Sequence, residues 1–269
     1  MSDDAALPGA LPPRQRSVSA MRSISALILR EMESVYGRSP GGYVWAVAEP
    51  VAGVLLMTVI FSLVLRAPSL GSDFAMFYAT GFLPFVAYQT ISSATMNALK
   101  FARQLLEYPA VTFMDAVLAR FILNVMTTTL VGVIVILAII ELNDLNPIIR
   151  WESVLLAALM TVSLAFGVGV FNCYMATRFE LWGRLWSVVS RPLLIISAVL
   201  FIPEDLPSGL RGYLMYNPLA HITSEMRRGW YGTYEAQLVD PVYVFGIALG
   251  LAVVGCFLLL HHHRDAMNR

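Results

Sequence analysis

The chain has 269 residues, of which 58% are hydrophobic and only 13% charged, with 18 basic side chains balanced by 18 acidic ones. A soluble domain carries roughly 25% charged residues because its surface must be wetted, so this composition excludes a water-soluble globule and predicts an integral membrane protein. The zero net charge offers no electrostatic footprint for nucleic acid.

The Pro- and Ala-rich N-terminus reads as a disordered tail over residues 1–20. No short apolar core with a small-residue cleavage site follows it, and the first apolar run, from Val44, is too long for a signal peptide. Between tail and run, residues 24–37 form a two-faced helix. At 100° steps Ile24, Leu27, Ile28, Met32, Val35 and Tyr36 share one broad face, with Arg30, Glu33 and Ser34 opposite. Such a helix lies in the plane of the membrane interface. Glu31 falls inside the apolar arc, where a carboxylate either reaches the headgroups or finds a partner such as an arginine of another helix.

A spanning helix needs about 20 apolar residues. Six segments qualify: 44–65, 74–96, 115–140, 153–176, 185–202 and 242–260. The second holds Pro84, Gln89 and several hydroxyls, so it should face protein or a cavity more than lipid. An even number of spans puts both termini on one side. The segments on that side hold twelve Lys/Arg, or thirteen with the boundary residue Arg120, against Arg66, Arg150, Arg211, Arg227 and Arg228 on the other. By the positive-inside bias, both termini are expected in the cytoplasm.

In chain order, Glu49-Pro50 comes first, an acid just inside the first span. It is either a polar contact in a pore or between helices, or a hydrated interfacial residue. Residues 97–109 form a polar loop in which Phe101, Leu105 and Leu106 alternate with Lys100, Arg103, Gln104 and Glu107, closed by Pro109. A short amphipathic helix there could dock in a groove of a soluble partner or lie on the bilayer. Lys100 is the single lysine of the chain and lacks the preceding glycines of a phosphate-binding loop, so the chain carries no P-loop ATPase of its own. Cys173 and Cys256, far apart in apolar runs, read as small buried hydrophobes.

At the start of the fifth span, Arg184 and Arg191-Pro192 stand beside Trp182 and Trp186. They make either a positive, aromatic entrance for an anionic, sugar-like substrate or a positive-inside anchor with a tryptophan belt. Beyond it, Pro203, Pro207, Gly209 and Gly212 turn the chain, Asn217 and Pro218 start a helix and Gly229 stops it. On that helix His221, Glu225 and Arg228 stack on one side and Leu219, Ile222 and Met226 on the other, followed by Trp230, Tyr231 and Tyr234. The pattern fits a re-entrant or interfacial hairpin presenting a charged row and aromatics to a cavity, or a structural salt-bridge ladder. The trio His261, His262 and His263 reads as the end of an interfacial tail, since adjacent helical histidines cannot all face one ion. No Ser/His/Asp set, Cys/His cluster or carboxylate pair has catalytic spacing, so neither a catalytic residue, a metal site nor a cofactor bound by this chain is expected.

Arg30-Glu31 through Tyr36-Gly37, then Gly42-Tyr43-Val44-Trp45 and Glu49-Pro50, resemble the N-terminal signature of ABC-2-type exporter permeases, in the branch that exports capsular polysaccharide. The run Tyr216-Asn217-Pro218-Leu219 with His221, Glu225, Arg228 and Trp230 is similar to that branch's motif between the fifth and sixth spans. The resemblance covers the chain from Met21 onward, residues 21–269.

The resemblance implies an all-α membrane protein of six transmembrane helices, with an N-terminal amphipathic interfacial helix and a re-entrant hairpin between spans five and six. It implies a homodimer in the bacterial inner membrane, working with two copies of a separate ATPase that holds the ATP and magnesium. The loop between spans two and three would couple to that ATPase through Lys100, Phe101, Arg103, Leu105 and Glu107. A lipid-linked polysaccharide would pass along Trp45, Glu49, Trp186, Arg191, Tyr216, His221, Glu225, Arg228, Trp230 and Tyr231, towards a periplasmic polysaccharide co-polymerase or export protein. The rivals are export of O-antigen or teichoic acid by the same architecture, a small-molecule drug exporter, and a proton-coupled carrier using Glu49. The lack of deep paired acids or internal repeats argues against the carrier.

Overall fold

The computed structural model describes residues 16–35, 42–102, 112–237 and 239–267, and among them every regular element is a helix. In chain order these are α1 (Arg16–Val35), α2 (Gly42–Val64), α3 (Phe74–Met96), α4 (Ala98–Ala102), α5 (Phe113–Leu142), α6 (Trp151–Arg178), α7 (Trp182–Ser190), α8 (Leu193–Ile196), α9 (Ser208–Leu214), α10 (Pro218–Trp230) and α11 (Pro241–Met267). Residues 1–15 of the expected tail lie outside the described residues, while α1 already begins at Arg16, ahead of the Ile24 start read from periodicity.

Among the described residues, four helices are long and apolar enough to cross a membrane: Val44–Val64, Phe113–Leu142, Trp151–Arg178 and Pro241–His261. They coincide with the first, third, fourth and sixth segments expected from hydropathy. The second segment, α3, is a continuous helix with the expected bounds, started by Asp73, whose carboxylate accepts the Met76 N–H at 2.7 Å. It is packed by α2, α5, α6 and α10. Its polar residues Thr80, Ser92 and Thr95 are buried against protein, Thr80 and Thr95 each bonding a carbonyl one turn back. α5 opens with a capping box in which Thr112 and Asp115 satisfy each other's backbone N–H groups.

α6 forms the other half of the core, between α3 and α11. Two glycines set those approaches. A β-carbon at Gly167 would stand 2.2 Å from the Ala248 carbonyl of α11, and one at Gly169 would stand 2.6 Å from the Thr95 side chain of α3. Small residues at such contacts let helices close to backbone distance, the packing that works where lipid offers no hydrophobic drive.

The fifth segment departs from expectation. Instead of one helix over 185–202, α7 stops at Ser190, α8 adds a single turn, and the chain is unwound from Ser197 to Ile202, with Ala198 at φ 55°. Pro192 lacks an N–H and its ring crowds the preceding turn. Proline alone does not explain the break, because α2 and α3 run unbroken through Pro50 and Pro84. The difference lies downstream, where another element takes over the carbonyls of the unwound stretch.

Candidate functional site

That element is α10. Asn217 caps it by accepting the Leu219 N–H at 3.0 Å, while its own amide donates to the Ile196 carbonyl at 2.8 Å. Nearly two turns on, the Thr223 hydroxyl donates to the Ser197 carbonyl at 2.8 Å. Another turn on, Arg227 donates to the carbonyls of Ala198, Val199 and Phe201 at 2.6 to 2.7 Å. Five carbonyls between Ile196 and Phe201, orphaned by the break, are thus satisfied by the cap residue Asn217 and by Thr223 and Arg227 of α10. Buried backbone outside a helix needs such partners, since an unpaired buried carbonyl costs about as much as a lost hydrogen bond.

Arg227 has no exposed surface and lies with its guanidinium 4.2 Å from the centre of the Phe77 ring. Burial lowers its pKa to about 10, against the stabilising fields of Tyr234, Tyr231, Tyr78 and Glu204, so it stays charged at neutral pH. Sequence reasoning singled out Arg228 and passed over its neighbour. The signal was present: at 100° steps Arg227 falls between Ala220 and Thr223, away from the charged row, as Glu31 does on α1.

The expected charged row of α10 is turned largely inward. The His221 ring spends both nitrogens within the protein: Nδ1 accepts the Asp240 N–H at 3.0 Å, and Nε2 donates to the Met215 carbonyl at 2.9 Å. Glu225 is buried and meets the part-exposed Arg228 at 3.4 Å. Trp230 and Tyr231 pack with the cluster that α2, α3 and α5 share, whereas Tyr216 is exposed. Gly229 does not stop the helix, which runs on through Trp230 without a left-handed residue. Its role is contact: its carbonyl accepts the Arg150 N–H at 2.8 Å, and a β-carbon there would stand 2.5 Å from Val154 of α6.

At the opposite end of the bundle, Arg120 of α5 joins three elements. It pairs with Glu31 of α1 at 2.6 Å, stacks 4.1 Å from the centre of the Phe101 ring of α4, and donates to the Asn97 carbonyl at 3.4 Å. The carboxylate that periodicity left inside the apolar arc of α1 therefore has an arginine partner. Lys100 and Phe101 are exposed on α4, while Arg103, Leu105 and Glu107 lie outside the described residues.

Beside this joint, α3, α5 and α7, with Phe101 of α4, line an open cavity of about 600 Å³. Trp186 and Arg191 line it, with Trp182 stacked on Trp186 at 6.4 Å. Trp45 and Glu49 are exposed on α2 and do not line it. The ten expected path residues therefore fall into three places: the outer surface of α2, the α7 cavity, and α10 with its flanks. No group of three metal-ligating side chains occurs among the described residues.

A family model described as ABC-2 type transporter matches residues 22–231. The chain is 27% identical over 241 residues to the capsule polysaccharide export inner-membrane protein CtrC of Neisseria meningitidis serogroup A, covering 88% of this chain and 91% of that protein. It is 25% identical over 243 residues to the polysialic acid transport protein KpsM of Escherichia coli, covering 90% and 93%. A further relative is the O-antigen export system permease protein RfbA of Klebsiella pneumoniae, 24% identical over 233 residues, covering 85% and 88%.

Proposed function

This chain belongs to the ABC-2 type transporter family, and on that premise we propose that it is the permease subunit of an ATP-driven exporter moving lipid-linked capsular polysaccharide across the bacterial inner membrane. The observation that carries the reading is its near end-to-end alignment with permeases named for capsule and polysialic acid export.

In this reading α3 and the broken α7–α8 segment complete six spans, α1 lies amphipathic in the interface, and α9–α10 form a re-entrant hairpin at the outer mouth. Both termini face the cytoplasm, as the Lys/Arg bias favours. Two copies pair, and two copies of a separate ATPase dock on the loop containing Lys100, Phe101, Arg103, Leu105 and Glu107. ATP-driven closure of those subunits pushes on the loop and shifts the two bundles against each other. The joint at Arg120 supports this, because it ties that loop to α1 and α5. The polymer follows Trp45, Glu49, Trp186 and Arg191 and leaves past Tyr216 and the α10 hairpin, towards a periplasmic export protein.

The deciding experiment fractionates cells lacking the chain. Full-length polymer trapped in the cytoplasm on its lipid establishes export and identifies the sugar. The similarity to RfbA favours a second reading, O-antigen export by the same architecture, in which O-antigen accumulates instead. Unchanged surface glycans with altered sensitivity to a small toxic compound would overturn both.

A further inference from the structure

We propose that the cavity between α3, α5 and α7 binds a single acidic glycosyl unit of the saccharide chain. The inference deepens the export reading and rests on it for the substrate class. The volume, about 600 Å³, lies within the ~300–1,000 Å³ typical of small-molecule sites.

The chemistry of the wall selects the ligand. Gln89, Asn97 and Asn124 each turn the amide N–H to a backbone carbonyl: Ser190 at 3.4 Å, Ser93 at 2.9 Å and Arg120 at 2.8 Å. A carbonyl only accepts, so the NH₂ must be the engaged group, and the amide oxygen of all three remains an acceptor. Three acceptors around one cavity suit a ligand rich in hydroxyl donors.

The remaining wall fits the same ligand. Trp186 offers a flat ring for the C–H face of a sugar, and the stacked Trp182 holds that ring in place. Arg191 supplies the donors, since the terminal nitrogens of Arg120 are engaged by Glu31 and the Asn97 carbonyl. Arg191 is exposed and has no ion-pair partner among the described residues. Among the described residues lining the cavity, Arg120 is paired with Glu31 while Arg191 carries a positive charge with no ion-pair partner, which favours a carboxylate-bearing sugar over a neutral one.

The test titrates the full-length chain in detergent micelles with a sialic acid trimer, and in parallel with maltotriose and inorganic phosphate. Saturable binding of the acidic trimer, tighter than maltotriose and not displaced by phosphate, is expected. Arg191→Gln, at an exposed position, should weaken it by about tenfold, the scale of one lost charge-assisted hydrogen bond. Trp186→Ala should weaken it with unchanged elution and melting temperature. No saturable binding in the millimolar range, equal binding by maltotriose or phosphate, or wild-type affinity in Arg191→Gln overturns the site. The polymer's location in cells lacking the chain is a separate readout, so failure of the site and failure of the export reading are distinguishable.

Discussion

Arg120 Nη2 and Glu31 Oε1 lie 2.6 Å apart, one from α5 and the other from α1, with side chains only 12% and 19% exposed. A helix held only by apolar contact could slide along the bundle; a short, mostly buried ion pair fixes α1 to one register. Breaking it leaves a charge in poor solvent, which costs more than a surface pair is worth.

Glu31→Ala is therefore expected to destabilise the chain by about 1–3 kcal/mol, the range for a hydrogen bond to a charged group. Arg120→Ala should cost more, since it also removes the ring contact with Phe101 and the bond to Asn97. A double-mutant cycle on thermal unfolding in detergent checks the pair: the two losses must be strongly non-additive.

Phe101→Ala should abolish or sharply reduce export while leaving membrane insertion intact, because an exposed ring contributes little to the fold. Its stacking on Arg120 is worth about 0.5–2 kcal/mol. Surface polymer and membrane-inserted protein are quantified together; normal export in this variant removes the loop from the coupling route.

Arg227→Met should be among the most damaging single changes in the chain, because three carbonyls in an unwound stretch lose their donor, each at a cost of about 1–3 kcal/mol. Arg227→Lys should rescue little, since a compact ammonium cannot serve three carbonyls as a planar fork does. Limited proteolysis of segment 197–217 reads the effect directly, as faster cleavage than in wild type.

Gly81→Ala should reproduce part of that phenotype without touching the arginine. A β-carbon at Gly81 would stand 2.8 Å from Arg227 Nη2 and 3.1 Å from the Val199 carbonyl, crowding the bond between them. A loss of about 1–3 kcal/mol is expected, as for overpacking elsewhere, with the same protease-sensitive segment. Thermal melting of the single and double variants shows whether the two changes act on one structure.

His221→Phe leaves the Asp240 N–H and the Met215 carbonyl unpartnered and should cost about 1–3 kcal/mol. Because both ring nitrogens are already engaged, the loss should appear in melting temperature as well as in transport. Loss of transport at unchanged melting temperature would instead return His221 to the polymer path.

Hydropathy was enough to locate α5, α6 and α11, since a spanning helix is defined by length and apolarity, both local properties. It also bounded α3, whose polar side chains marked it as a helix enclosed by protein. The place of Glu31 in the apolar arc left two readings, the headgroups or an arginine of another helix, and the structure shows the second. Which arginine it is was not legible, because that depends on how α1 lies across α5. The break after α7 was missed for a similar reason. Pro192 looks no worse than Pro50 or Pro84 in sequence, and only the presence of Asn217, Thr223 and Arg227 opposite decides that the helix does not resume. Gly229 misled for the opposite reason, since a glycine needed for close approach to Val154 looks the same as one that ends a helix.

The polarity of α3 reaches beyond the finished fold into biogenesis. A segment bearing Tyr78, Thr80, Tyr88, Gln89, Ser92 and Thr95 gains little by leaving the translocation channel alone for lipid. In the six-span arrangement proposed above, it would enter the bilayer as a hairpin with α2, whose Gly53 is packed against Phe82. α5 and α6 would then sheath it as they emerge from the ribosome. A helix this polar depends on its neighbours for insertion, so damage to α2 should surface first as loss of chain to membrane quality control.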